Sequence, residues 1–180
     1  VRLARGEAAA ASALLVRRLD ELGWTNLLAA TLLAQLVEAR LAEGRLDDAR
    51  APAAALDVIA ETPDRDRVAA FAVGAPGRIA SAEGREEARQ LLLEAVNRFA
   101  ALGLRLDAAR ARLDLARSLA TSDPEVAIDT ARHARTELEA LGALRARDRV
   151  AAGLEEVLDA ANRFVVHRLL IAEGVAHPGY

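Results

Sequence analysis

The sequence predicts an all-α fold built from about four stacked pairs of antiparallel helices. Alanine and leucine supply most of the apolar residues, and both favour helix. Runs of β-branched and aromatic residues, which favour strands, are absent from the sequence. A pattern of glycine, acidic residues and alanine recurs with a period of about 39 residues, which is a signature of stacked helical repeats.

Three of the four repeats are marked by a glycine, acidic residues and an alanine, and the fourth has Ser122-Asp123-Pro124-Glu125 before its alanine. The alanines are Ala10, Ala49, Ala88 and Ala127, which are evenly spaced along the chain. The glycine fits the left-handed residue that ends one helix, and the acidic cluster fits the positive end of the next. The alanine predicts a helix crossing too close for a larger side chain. Each unit is therefore expected to be a pair of helices.

The spacing of these markers also predicts where each helix begins and ends. We expect helices over residues 7–22, 26–43, 46–61, 65–82, 85–102, 105–120, 124–141 and 144–160. Ser122 or Asp123 is expected to cap the helix that starts at Pro124. Pro76 is expected to kink or split the helix over 65–82, because proline lacks a backbone N–H. A tolerated kink and a functional hinge or binding notch are both open.

The domain organisation follows from the same repeats. Residues 1–155 are predicted to form the repeat region, with a truncated first unit. Residues 156–180 are predicted to be either a C-terminal capping helix with a tail or an incomplete helix-turn-helix.

The composition argues against an enzyme and against cofactor chemistry in this chain. There are 180 residues, a net charge of −3, three histidines and no cysteine. All 24 basic residues are arginine, so a Schiff-base lysine and a Walker A lysine are excluded. No two histidines share helical spacing, so we expect no metal site. With no apolar stretch of about 18 residues and no signal peptide, we expect a cytoplasmic protein without a membrane partner.

Two segments carry a resemblance to a known family. The runs Gly44-Arg45-Leu46-Asp47-Asp48-Ala49 and Gly84-Arg85-Glu86-Glu87-Ala88 resemble tetratricopeptide-type repeats. Residues 99–113 and 133–143 are similar to the repeat region of large ATP-binding LuxR-type transcription regulators. This resemblance implies a right-handed superhelix of antiparallel helix pairs. It also implies a non-catalytic regulatory module that binds a protein or effector and relays this to DNA binding.

The same resemblance bears on cofactors and on DNA. No phosphate-binding Gly-Lys motif is present, so ATP would bind only in an upstream module. Residues 155–158 and 161–168 resemble pieces of a LuxR-type helix-turn-helix domain. The resemblance makes Asn162, Arg163, His167 and Arg168 candidate DNA contacts. The alternative function is a stand-alone protein-interaction scaffold with no link to DNA.

A polar stripe recurs on the first helices of the pairs. Thr31, Gln35 and Glu38 stand at i, i+4 and i+7, and the same spacing recurs two repeats later in the chain. In a curved solenoid such a face lines the concave groove. The predicted partner groove comprises Thr31, Gln35, Glu38, Phe71, Arg78, Arg110, Asp114 and Arg117.

Two interpretations of this stripe remain open. One is a groove for a protein partner, for the neighbouring domains of the same protein, or for a second copy in a homo-oligomer. The other is an ordinary solvated stripe, in which Arg110 and Asp114 form a simple i, i+4 ion pair.

Overall fold

The computed structural model describes residues 5–63 and 65–141, which form α-helices joined by short turns. The helices are α1 (Arg5–Leu22), α2 (Ala30–Ala42), α3 (Leu46–Ala60), α4 (Asp66–Ala82), α5 (Glu87–Ala101), α6 (Arg105–Leu119) and α7 (Pro124–Ala140). These residues contain no strand, so the predicted all-α fold is confirmed for them. The helix predicted over 144–160 and the segment 156–180 lie outside the described residues.

The helix boundaries lie close to those predicted, with the largest difference before α2. A 3₁₀ turn, Leu27–Ala29, occupies the start of the helix predicted over 26–43. The side-chain oxygen of Asn26 accepts a hydrogen bond from the Leu28 amide at 2.9 Å. This capping bond holds the turn in the tighter geometry and delays the α-helix to Ala30.

Glycines end three of the helices by the same hydrogen-bond pattern. Gly44, Gly84 and Gly103 have φ values of 76°, 70° and 68°, in the left-handed region. After α2, the Gly44 amide donates to the Leu41 carbonyl at 3.0 Å, and the Arg45 amide donates to the Arg40 carbonyl at 2.9 Å. These two bonds make a Schellman motif, which satisfies carbonyls at the helix end. The predicted role of Gly44 and Gly84 is confirmed.

The turn before α7 is built differently from the prediction. Pro124 does occupy the first turn of α7, but the side chain of Asp123 makes no capping hydrogen bond. The hydroxyl of Ser122 donates back to the Leu119 carbonyl at 3.5 Å. The predicted capping by Ser122 or Asp123 is therefore wrong. The Leu119 carbonyl already accepts hydrogen bonds from the Ser122 and Asp123 amides, at 3.1 and 2.8 Å, so the hydroxyl adds a third and longer contact.

The helices stack in the order in which they occur in the sequence. Each α-helix packs against its sequence neighbours, and α2, α4 and α6 also contact one another through the pairs α2–α4 and α4–α6. We call α2, α4 and α6 the A helices, and α1, α3, α5 and α7 the B helices. The A helices therefore lie side by side and present polar side chains from successive repeats on one face.

The repeated alanines are core residues, with one correction. Ala49, Ala88 and Ala127 are at most 3% exposed. Ala10 is exposed, and Ala8 is fully buried in its place. The number of residues from Ala8 to Gly23 equals the number from Ala88 to Gly103. The first interval between core alanines is therefore slightly longer than the later ones, and the predicted Ala10 is wrong because it points away from the core.

The core runs along the stack as two clusters that meet inside α5. One contains Leu19, Leu33, Leu56 and Phe99. The other contains Leu92 with residues of α6 and α7. Both clusters include residues of α5, so this helix contributes to each of them.

Helix α4 continues through Pro76 without a break. The helix is assigned without interruption from Asp66 to Ala82, so the predicted split is wrong. Pro76 removes one backbone hydrogen bond, but Phe71, Ala75 and Ile79 are buried on both sides of it. The packing of this helix therefore outweighs the single lost bond. Pro52 lies inside α3 in the same way.

Two glycines of α4 face α5. A Cβ at Gly77 would lie 3.1 Å from Leu91 Cβ and from Leu92 Cγ. A Cβ at Gly74 would lie 3.5 Å from Ala95 Cβ, an ordinary van der Waals distance. Gly77 is therefore the position where α5 has no room for a side chain on α4.

We expect Gly77→Ala and Gly74→Ala to change stability in opposite directions. Alanine favours helix over glycine by about 1 kcal/mol at either position. At Gly77, overpacking against Leu91 and Leu92 costs about 1–3 kcal/mol, so the free energy of unfolding falls. Urea unfolding followed by circular dichroism measures both. Equal stability of the two variants would contradict this account of the contact.

Candidate partner-binding surface

The A helices form a shallow depression that collects most of the predicted groove residues. Its lining includes Thr31, Gln35, Glu38, Phe71, Arg78 and Arg110, together with Ala34, Phe99 and Asp107, which the sequence analysis did not single out. The predicted Asp114 and Arg117 join it through hydrogen bonds described below. Residues from α2, α4 and α6 therefore meet on one face, with Phe99 contributed by α5.

The floor of the depression is aromatic. Phe71 is 7% exposed, and its ring meets the ring of Phe99 edge to face, with the centroids 5.1 Å apart. The guanidinium of Arg67 lies over the Phe71 ring, 5.6 Å from its centroid. Phe71 was predicted as a groove contact; it lines the depression and is also buried in the core against Phe99.

The centre of the site is an ion pair between two A helices. Arg78 Nε donates to Asp114 Oδ2 at 2.6 Å, and these side chains are 18% and 19% exposed. Arg117 Nη1 donates to the other carboxylate oxygen of Asp114 at 2.9 Å. The predicted alternative, an i, i+4 pair of Arg110 with Asp114, is wrong. The carboxylate of Asp114 is occupied by Arg78 and Arg117.

Arg78 remains charged although it lies largely out of water. Burial opposes the charged form, but the carboxylates of Asp114, Glu38 and Asp107 outweigh it and raise the pKa of Arg78 above its ordinary value. These carboxylates come from α2 and α6, on either side of α4. One arginine thus ties three successive A helices together electrostatically.

A second ion pair joins α4 to α6 near the same depression. Arg67 Nη2 lies 3.7 Å from Asp107 Oδ2. Asp107 was not among the predicted groove residues, although the sequence contains a signal for it. Asp107 stands at i−3 from Arg110 and so lies on the same face of the helix.

An apolar cleft continues the depression toward the N-terminal ends of α2 and α4. Its lining residues are Leu27, Leu28, Ala30, Thr31, Arg65, Asp66, Arg67, Val68 and Phe71. Leu28 is 74% exposed and Leu27 is 47% exposed. Thr31 and Phe71 line both hollows, so the cleft and the depression form one continuous surface. We call this surface the A-face groove.

The size of the two hollows indicates which occupants they suit. The depression has a volume of about 40 Å³, well below the roughly 300–1,000 Å³ of small-molecule pockets. The cleft has a volume of about 370 Å³ and carries two exposed leucines. The A-face groove therefore offers an apolar surface at one end and polar contacts at the other.

Within residues 5–63 and 65–141, no group of three or more His, Cys, Asp or Glu side chains is placed to hold a metal ion. Among the helices described, none is both long enough and apolar enough to cross a bilayer. The candidate DNA contacts Asn162, Arg163, His167 and Arg168 lie outside the described residues.

Comparison with known proteins adds no family assignment. No protein-family model matches the chain, and no curated protein or solved structure matches it significantly. The resemblance to tetratricopeptide-type repeats and to LuxR-type regulators therefore remains a prediction.

We expect Arg78→Gln to destabilise the fold more than Arg98→Gln. Removing Arg78 leaves Asp114 less well paired in a partly buried setting, at a cost of about 2 kcal/mol. Arg98 pairs with Glu94 at 2.6 Å, but these side chains are 44% and 43% exposed. An exposed pair of this kind contributes about 0.5 kcal/mol. Chemical unfolding of both variants measures the difference, and equal losses would show that the Arg78 pair is not structural.

Proposed function

We propose that this chain is a tetratricopeptide-like helical-repeat module that binds a partner protein through the A-face groove. In this proposal the helix pairs follow a right-handed superhelix, with the A helices on its concave side. The observation that carries it is the meeting of Thr31, Gln35, Glu38, Arg78 and Arg110 from three A helices in one depression. The stacking of helices in sequence order supports the repeat architecture.

We further propose that the module is a non-catalytic part of a bacterial LuxR-type transcription regulator. This proposal rests on the resemblance of residues 99–113 and 133–143 to that family. In it, occupancy of the groove changes how successive helix pairs pack, and this change biases DNA binding. The ion pairs Arg50–Glu83, Arg67–Asp107 and Arg78–Asp114 join successive repeats and would carry such a change.

The alternative proposal is a stand-alone interaction scaffold with no link to DNA. It uses the same groove and the same partner class, and differs only in what the module is attached to. Self-association through the groove remains a further variant of either proposal.

We expect the double variant Gln35→Ala/Arg110→Ala to lose partner binding without losing stability. The probe is a set of peptides selected from a random display library on the immobilised 180-residue chain. Loss of two polar contacts should weaken their binding about tenfold or more, as measured by fluorescence anisotropy.

The matched control for this experiment is Asn97→Ala/Arg89→Ala on α5. Both of these side chains are exposed, and neither lines the A-face groove. Their replacement should leave peptide affinity unchanged. Peptides that bind the Gln35→Ala/Arg110→Ala variant as tightly as the original chain would refute the groove as the binding site.

The regulator proposal predicts DNA retention by the complete gene product that contains this chain. Because phosphate contacts release counterions, the logarithm of the DNA affinity should fall linearly with the logarithm of the salt concentration. Filter binding across a salt series measures this slope. Absence of DNA retention at every salt concentration would exclude the regulator and leave the scaffold.

A further inference from the structure

Among the described residues, Arg110 differs from Arg67, Arg78 and Arg117 because it has no carboxylate partner. Arg67 pairs with Asp107, while Arg78 and Arg117 pair with Asp114. Arg110 is half-buried in the same depression, and in the described residues no carboxylate lies within ion-pair distance of it. A partly desolvated guanidinium without a partner is costly, and an incoming anion would relieve that cost.

The surroundings of Arg110 suit a carboxylate. Thr31 and Gln35 line the same depression, so a hydroxyl and an amide can add hydrogen bonds to a bound anion. Glu38, Asp107 and Asp114 also lie in or beside the depression and would repel a doubly charged phosphate. A singly charged side chain matches Arg110, because the depression's other lining arginine, Arg78, is already paired with Asp114.

The same carboxylates argue against a nucleic acid at this face. The chain has a net charge of −3, and the neighbouring Arg67 and Arg78 are already paired with Asp107 and Asp114. A groove for a phosphate backbone would need several unpaired cations in a row.

The apolar end of the A-face groove adds a second requirement for the partner. Leu27 and Leu28 are exposed beside a cleft of about 370 Å³ that shares Thr31 and Phe71 with the depression. Exposed leucines beside a hollow are typical of sites that receive an apolar side chain. One extended chain lying along the groove would therefore meet leucines at one end and Arg110 at the other.

We propose that the A-face groove binds an extended acidic segment of a partner protein. An Asp or Glu carboxylate of that segment pairs with the guanidinium of Arg110, and an aliphatic side chain enters the cleft beside Leu27 and Leu28. This inference rests on the proposed function and specifies the chemistry of its partner.

The test is a double-mutant cycle on the complete 180-residue chain. Peptides selected from a random display library should be enriched in Asp or Glu together with Leu, Ile or Val. The best peptide should lose about tenfold in affinity with Arg110→Gln, and about tenfold when its carboxylate is replaced by an amide. The two changes together should cost no more than either alone, because they remove the same contact.

Two controls separate binding from stability. Arg89→Gln, on the exposed face of α5, should leave the affinity unchanged. Arg110→Gln should not lower the thermal midpoint, because Arg110 has no ion pair in the described residues. A lowered midpoint would assign Arg110 a structural role and overturn the proposal.

The remaining outcomes distinguish this inference from the proposed function. One outcome is that Leu28→Ala weakens peptide binding while Arg110→Gln and replacement of the peptide carboxylate leave the affinity unchanged. This outcome overturns the inference but leaves the groove as a binding site. If Leu28→Ala, Gln35→Ala and Arg110→Gln all leave the peptide affinity unchanged, both the inference and the proposed function are overturned. A phosphoserine peptide that binds more tightly than its aspartate counterpart overturns the choice of a carboxylate.

Discussion

Close contact between helices that carry alanine or glycine at their crossings is the constraint on which this array depends. Ala49, Ala88 and Ala127 are almost fully buried, and Gly77 has no space for a Cβ against α5. Small residues let the helix backbones approach, so dispersion contacts accumulate along the whole length of each pair. Each helix can then bury its apolar face against its sequence neighbours, and the A helices come to lie side by side.

That arrangement decides what the polar side chains of the A helices can do. At such separations Arg78 lies between two helices with only 18% of its side chain exposed, so its charge requires carboxylates nearby. Asp114 on the next A helix supplies a hydrogen bond, while Glu38 on the preceding A helix and Asp107 supply electrostatic support. The network therefore neutralises the Arg78 charge with carboxylates from the A helices on both sides of α4.

The sequence predicts the parts of this structure that depend on local chemistry. Gly44 and Gly84 end helices because a positive φ suits glycine, and this holds wherever the helix lies in the fold. Ala8 could not be identified in this way, because it begins a run of alanines and only packing decides which of them is buried. The ion-pair partner of Asp114 could not be predicted from neighbouring residues either, because Arg78 is distant in sequence. Arg110 stands four residues before Asp114, which is the usual spacing for an ion pair within one helix.

The repeat itself explains why one charge on this face is left over. Arg110 occupies the repeat position that Thr31 and Phe71 hold in the preceding A helices, and neither of those carries a carboxylate. Arg78 instead contacts Asp114, which explains why Arg78 is neutralised while Arg110 is not. A glutamate at position 71 would supply a carboxylate, but it would remove the Phe71–Phe99 contact from the core. The array thus keeps the aromatic contact and leaves Arg110 without a partner in the described residues. A partly buried charge without a partner is a local departure from good packing, and such departures are typical of functional surfaces.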